Sequence, residues 1–355
     1  MKNIMGIIDD RKRPKGLEGL INKRSPGAIP FGSKYRMVDL ILSSMSVSGI
    51  KNVGIFTGKY SGSLVNHVKS GKEWGLLRLK DGLFMLPSDY REHIDYLDRS
   101  KEEYVLYSSN NIVYFTSYEP MEQFLKEKNA DIVIAYAMDK KPAMNKGLYI
   151  DIKGDLVTGV SEKQTAPDSR RTMEVLLMKK EIFKNLLEGV GELGKNPIEV
   201  LVKEHKKYKI HGYSYKGYVA YVDDLYTFYK ENLALLEEKL WMDLFYGNGS
   251  ISTIPNDEAP TKYLEASNVK KTLITEGCII KGEIENSMIF RGVKVKSGAK
   301  IKNSIIMQKA IIGRNAVIEN AILDKDVEIR AGVRIMGTPE KPLFISKKSI
   351  VEKES

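Results

Sequence analysis

The chain has one cysteine, four histidines and no run of about 18 apolar residues. The lone Cys278 excludes an intramolecular disulfide and fits a reducing compartment, so a cytoplasmic location is expected. As a small apolar side chain it is expected in a core. With no long apolar run, no helical membrane span is expected. The opening, MKNIMGIIDD, turns acidic too soon for a secretory signal. No histidine follows His211, which excludes imidazole catalysis from everything beyond it. Acid is scarce early: from Arg11 to Arg36 eight basic residues face one carboxylate, Glu18.

What is present suits a folded protein of two domains: 355 residues, 42% hydrophobic and 29% charged. The net charge of +10 favours anionic partners. It is scattered, and no helix-turn-helix, zinc-ligand spacing or RNA-binding aromatic pattern accompanies it. The expected anion is therefore a phosphorylated metabolite, not nucleic acid or a membrane.

The C-terminal part repeats. Residues 286–301, 303–318 and 320–335 superpose with a period of 17 residues. Met288, Ile305 and Ile322 form one column; Val295, Ile312 and Ile329 a second; Ile301, Ile318 and Ile335 a third. Gly298, Asn315 and Gly332 form a column of residues that tolerate left-handed backbone. Columns five or six residues apart predict three short strands per coil of a parallel β-helix. The pattern resembles the left-handed hexapeptide β-helix of acyltransferases. Without a histidine the coils read as a packing and assembly surface.

Residues 247–262, rich in Gly, Asn, Ser and Pro, read as a linker between domain 1–246 and β-helix 263–345, with 346–355 as a tail. The first domain alternates strands and helices. Strands are expected at 4–8, 52–57, 104–108 and 132–136. Helices are expected at 35–48, with Val38, Ile41, Leu42 and Met45 on one face, and at 63–70. Another should lie between the last two strands, capped by Ser117 and started by Pro120. This alternation predicts an α/β, Rossmann-like, mostly parallel sheet with helices on both faces. Ligands should lie beyond the strands' C-terminal ends, near 9–15 and 108–111.

Lys23 to Ile50, KRSPGAIPFGSKYRMVDLILSSMSVSGI, with the coils behind it, resembles the glucose-1-phosphate adenylyltransferase (ADP-glucose pyrophosphorylase) family. The resemblance covers all but about the last ten residues. It implies a nucleotidyltransferase fold, a C-terminal left-handed β-helix and in-line phosphoryl transfer, which depends on positioning and charge neutralisation. The family's Gly-Gly-x-Gly-x-Arg loop is replaced by Asp9, Asp10, Arg11, Lys12 and Arg13. Its Gly-Asp-His-Ile-Tyr motif aligns on Tyr114, which puts Asn110 at the Gly and Asn111 at the metal Asp. Tyr218 stands at the second metal Asp; Asp223 and Asp224 just beyond are expected to cap a helix. Lys-Pro-Ala-Val-Pro-Phe has become Pro26-Gly27-Ala28-Ile29-Pro30-Phe31, and the Trp-x-Gly-Thr-Ala-Asp segment has no counterpart.

Five losses together imply a chain that is inactive alone, with no cofactor of its own and Mg²⁺ confined to a catalytic partner. Such losses are similar to those of the family's non-catalytic regulatory subunit. The implied partnership is a heterotetramer with a catalytic glucose-1-phosphate adenylyltransferase subunit in glycogen biosynthesis. Ser161-Glu162-Lys163 resembles the sugar-phosphate motif Glu-Lys-Pro, so Glu162 and Lys163 read as a vestigial site or, equally, a solvated strand end. Lys23, Arg24 and Arg36 match an activator site for sugar phosphates and are the expected anion ligands. Two rivals remain: an active adenylyltransferase using Asp9 or Asp10 for metal, and a stand-alone sugar-phosphate sensor.

Overall fold

The computed structural model describes residues 3–77, 81–87, 89–137, 147–190, 196–265 and 267–352. Nine strands form the sheet of the first domain: Ile4–Asp9 (β1), Val53–Phe56 (β2), Leu83–Leu86 (β3), Tyr104–Ser109 (β4), Ile132–Ala137 (β5), Tyr149–Lys153 (β6), Leu156–Ser161 (β7), Arg170–Lys179 (β8) and Ile210–Tyr215 (β9). Their order is β3-β2-β1-β4-β8-β5-β9-β7-β6. β1 is buried throughout, as an apolar run covered on both faces must be. The expected parallel pairing holds across β3-β2-β1-β4 and between β5 and β9. The sheet as a whole is mixed, because β8 inserts antiparallel to both β4 and β5.

Eight helices matter to the argument: Met37–Val47 (α1), Gly62–Val68 (α2), Tyr90–Arg99 (α3), Glu119–Lys128 (α4), Lys180–Glu188 (α5), Pro197–Glu204 (α6), Leu225–Ala234 (α7) and Glu238–Tyr246 (α8). On one sheet face Val38, Ile41, Leu42 and Met45 of α1 pack on Ile4, Ile8, Val53 and Ile55, the stripe expected from sequence. Gly6 makes this approach possible, since a Cβ there would lie 2.5 Å from the Met45 sulfur. On the other face Leu97, Phe183, Leu186 and Leu201 cover Met5, Ile7 and Val105. α4 begins at Glu119, whose N–H donates to the Ser117 hydroxyl (3.3 Å). No helix among the described residues is long and apolar enough to cross a membrane.

The C-terminal part is a parallel β-helix of three sheets of six, five and five short strands. Met288 pairs with Ile305 and Ile305 with Ile322; Val295, Ile312 and Ile329 stack likewise, as do Ile301, Ile318 and Ile335. All nine side chains are buried. Gly298, Asn315 and Gly332 have φ of +72°, +57° and +74°, the left-handed corner that the sequence column requires. A second such column, Asn286, Asn303 and Asn320, has positive φ, and Asn286 donates to Asn303 through their amides (2.8 Å). Two coils break the period. The first step, Leu273 to Met288, is shorter, and the last, Ile322 to Phe344, is longer, with the extra residues turning at Thr338–Lys341. The stack also extends beyond 345, where a tail was expected: Ile350–Val351 pairs with Glu328–Ile329. Cys278 is buried inside a coil.

Residues 247–261 carry no helix or strand but are bound to α1. Ser252 N–H donates to Ser43 Oγ (2.9 Å) and Thr253 Oγ1 to the Asp39 carboxylate (2.6 Å). The two parts of the molecule share one apolar seam, in which Phe31, Met37, Leu40 and Phe228 meet Met288, Phe290, Ile305 and Ile322. Beside it Arg24 Nη2 lies 2.7 and 2.8 Å from the carboxylate oxygens of Asp324, both residues being almost wholly buried. Removing one partner of such a pair leaves an uncompensated buried charge. Asp324→Asn is therefore expected to destabilise the protein by about 3–5 kcal/mol in urea unfolding. The double change Arg24→Met with Asp324→Leu should recover most of that loss. A penalty in Asp324→Asn no larger than that of an exposed pair would show that the guanidinium finds water.

Candidate functional site

The ends of β1 and β4 open into a cleft of about 330 Å³, where the sheet topology places a ligand. Its cations are already engaged. Arg11 binds Asp9 through two nitrogens (2.9 and 2.6 Å), and Tyr107 OH donates to the same carboxylate (3.1 Å). Burial would raise the Asp9 pKa, but the Arg11 guanidinium outweighs it and holds the carboxyl below its usual range. The Arg11 guanidinium also lies 5.0 Å from the centre of the Phe56 ring, which stacks on His93. Lys12 meets Glu174 at 2.5 Å. Glu174 is buried, with φ of +49°, at an irregularity of β8 between Thr172 and Val175. A strained, non-glycine residue in a strand marks a place where a side chain has been re-aimed.

Charge in the cleft favours acid: the described lining carries Asp9, Glu162, Glu174 and Glu199 against Arg11 and Lys12. Such a lining repels a polyphosphate. Asp10 faces the interior, accepting from Gly27 N–H (2.7 Å) and the Asn110 amide (2.9 Å). Burial pushes its carboxyl up to about 6, against the pull of its hydrogen bonds to Gly27 and Asn110. Gly27 has to be small, because a Cβ there would fall 1.8 Å from the Asn110 amide nitrogen.

The two positions that the resemblance assigns to the metal have separate partners. Asn111 accepts from Ser109 Oγ (2.7 Å), while Tyr218 OH donates to Glu231 of α7 (3.1 Å) and packs in the apolar seam. Asp224 caps α7, accepting from Thr227 N–H (2.7 Å). Asp223, expected to share that role, pairs with Arg171 instead (2.6 Å). No group of three or more His, Cys, Asp or Glu among the described residues could hold a metal. The implied Mg²⁺ thus does not fit these residues: one ligand position is neutral, the other is a phenol, and Asp9 is committed to Arg11. Glu162 lies exposed at the cleft rim, and Lys163, next to it, is also exposed. The sequence reading missed Glu174 and Arg171. The lone acid in the otherwise apolar run Met173 to Met178 was the available signal.

A second pocket, of about 190 Å³, opens between the domains. Arg36 and His67 line it from the first domain, and Arg291, Gln308 and Lys325 from the β-helix. The last three are one 17-residue coil apart, so one turn of three successive coils presents them together. Arg291 Nε and Gln308 Oε1 are buried without a hydrogen-bond partner. Arg36 Nη1 donates to Ser63 O (2.6 Å), and burial lowers its pKa to about 10. His67 Nε2 sits 2.5 Å from Asp39, which also accepts from Arg36 N–H. Of the expected anion ligands, Arg36 lines this pocket. Arg24 is committed to Asp324 through Nη2, with Nη1 unpaired, and Lys23 lies exposed outside it.

Comparison with known proteins accounts for both halves. A family model described as nucleotidyl transferase matches residues 15–243, and the chain belongs to that family. A model of the GlmU-like C-terminal hexapeptide matches residues 259–342. The chain is 32% identical to the glycogen biosynthesis protein GlgD of Bacillus subtilis, over 97% of this chain and 96% of that protein. It is 31% identical to the glucose-1-phosphate adenylyltransferase of Bacillus mycoides and 30% to that of Bacillus cereus, over 92% of both chains in each case. Within the larger family it is thus a member of the glucose-1-phosphate adenylyltransferase family.

Because the described residues offer no group of three or more metal-ligating side chains, millimolar Mg²⁺ is expected to leave the melting temperature where Na⁺ of equal ionic strength leaves it. A Mg²⁺-specific rise that disappears in Asp9→Asn would instead put a cation on that carboxylate.

Proposed function

We propose that this chain is a cytoplasmic, non-catalytic regulatory subunit of glucose-1-phosphate adenylyltransferase in glycogen biosynthesis. The single observation that carries the reading is the self-neutralised cleft: Arg11 and Lys12 spend their charge on Asp9 and Glu174 rather than on a ligand. Phosphoryl transfer needs the opposite, cations left free for the phosphates and carboxylates left free for the metal. The interdomain pocket has the contrary character: its lining is mostly cationic, and the protein leaves the Arg291 Nε donor and the Gln308 Oε1 acceptor unpaired. It suits a small phosphorylated effector.

The partner in this reading is a catalytic glucose-1-phosphate adenylyltransferase subunit, in a heterotetramer. A subunit that does no chemistry acts through coupling free energy: it stabilises the partner's active arrangement across shared interfaces, and its own ligand biases that arrangement. α1 gives such a bias a short route. Asp39 of α1 binds the pocket residues Arg36 and His67 at one end of the helix, while Met45 packs on the sheet at the other.

Two measurements test this. Purified alone with ATP, Mg²⁺ and glucose 1-phosphate, the chain is expected to release no pyrophosphate above background, while its addition to the catalytic subunit changes that subunit's activity. Turnover by the chain alone, at the rate of a catalytic homologue, would overturn the reading. Arg36→Glu should weaken the complex's response to an anionic effector by about 5- to 150-fold, the range of ordinary allosteric couplings. An unchanged response would remove the interdomain pocket from regulation.

A further inference from the structure

We propose that the interdomain pocket binds its anionic ligand together with one proton, which the side-chain amine of Lys325 takes up. This rests on the reading of the pocket as an anion site and adds what that reading leaves open, the protonation state of the site before and after the ligand arrives.

The 17-residue period puts Arg291, Gln308 and Lys325 on the same turn of successive coils, about 4.8 Å apart per step. Lys347 follows on the next coil, since Leu323 pairs with Ile345. This column meets the first domain where Arg36 arrives from the hairpin Pro30–Arg36, with Arg24 near by. Lys325 is therefore faced by cations from three directions: Arg36, Arg24 and Lys347. The carboxylates near it are few. Asp324, next in sequence, is held by both Arg24 Nη2 distances. Glu276 lies on the pocket wall two coils before Gln308. The remaining titratable group of the wall is His67, whose ring is tied to Asp39; Lys34, Tyr35 and Lys69 complete the charged and titratable lining.

A lysine so placed has Asp324 as its nearby counter-charge, and that carboxylate is already paired with Arg24. Burial, followed by Arg36 and Arg24, brings its pKa down to about 6, so at neutral pH the empty pocket holds a neutral amine. The two orphaned atoms then acquire a purpose. Arg291 Nε is a donor without an acceptor, and Gln308 Oε1 an acceptor without a donor. An anion in the pocket satisfies the first. It also supplies the charge that Lys325 lacks, and the ammonium that forms can donate to the second, one coil away. The pocket volume of about 190 Å³ limits the ligand to a small phosphorylated or sulfated molecule.

The sign follows from linkage. The amine gains a proton on binding, so affinity is greatest at low pH. It falls as pH rises through about 6, where the empty pocket's amine loses its proton, by at most tenfold per pH unit for one proton. Sulfate is a suitable probe because it stays divalent over this range, so any proton taken up belongs to the protein. Calorimetry on the full chain in buffers of different ionisation enthalpy should show proton uptake near one at pH 7.5 and a weakening toward tenfold per unit above it. Lys325→Arg, charged at every pH tested, should bind sulfate without uptake and with flat affinity; thermal unfolding checks its fold. If the larger guanidinium does not pack, Lys325→Gln, which cannot be charged, should lose the uptake in the same way. Uptake that persists in Lys325→Arg and vanishes in His67→Gln would overturn the assignment. So would wild-type binding with no uptake, which leaves the anion site standing. Failure of sulfate to bind at any pH, or binding that Arg291→Ala does not weaken, would overturn the anion site itself.

Discussion

The sheet, the connecting segment and the β-helix all meet on one helix, α1, enclosed over all but its last turn. Residues Met37 to Met45 of α1 are all buried. Val38, Ile41, Leu42 and Met45 belong to the sheet, Met37 and Leu40 to the seam with the β-helix. A helix enclosed this way must satisfy its polar groups internally. Ser44 Oγ donates to Leu40 O and accepts from Thr116 N–H, and Ser48 Oγ donates to Ser44 O and accepts from Tyr118 N–H. Asp39 accepts from Arg36, Thr253 and His67. The sheet, the connecting segment and the interdomain pocket therefore cannot move independently of the helix. Close-packed interiors carry displacement rather than absorb it.

Much of this was legible. The α1 stripe follows from 3.6-residue spacing, and the coils from columns that repeat until a turn lengthens the last one. Strand direction was not, because a buried apolar run reads the same whichever way it pairs; β8 therefore entered unannounced between β4 and β5. The site divided along the same line. The absences at Asn111 and Tyr218 could be seen by position alone. The contacts that neutralise the cleft could not, because Lys12 and Glu174 lie 162 residues apart and meet only through the bulge in β8. Arg24 shows the reverse limit: its motif suggested a ligand contact, but Asp324, far along the chain, had already claimed it. The polar column Arg291, Gln308 and Lys325 was within reach, since the period that aligned the isoleucines also aligns it.

The two concave sites differ in how their charge is balanced. Both hold several cations. In the cleft the nearest carboxylates come from the protein, so the field closes on itself and a ligand gains little by entering. In the interdomain pocket the lining carries one carboxylate, Glu276, against several cations, and the nearby Asp324 and Asp39 are engaged with Arg24 and His67. Local balance, more than the total of +10, decides where an anion is held.

The fit of Gly27 against Asn110 also says something about history. Relative to the family pattern, the first position has become smaller and the second larger, and the two now interlock. Neither can be reversed first. A side chain at 27 collides with the amide of Asn110, and a glycine at 110 takes a donor from the buried Asp10 and leaves a gap. A path that changed these two positions one at a time would have to pass through a damaged protein, so the interlock behaves as a ratchet: each residue holds the other in place.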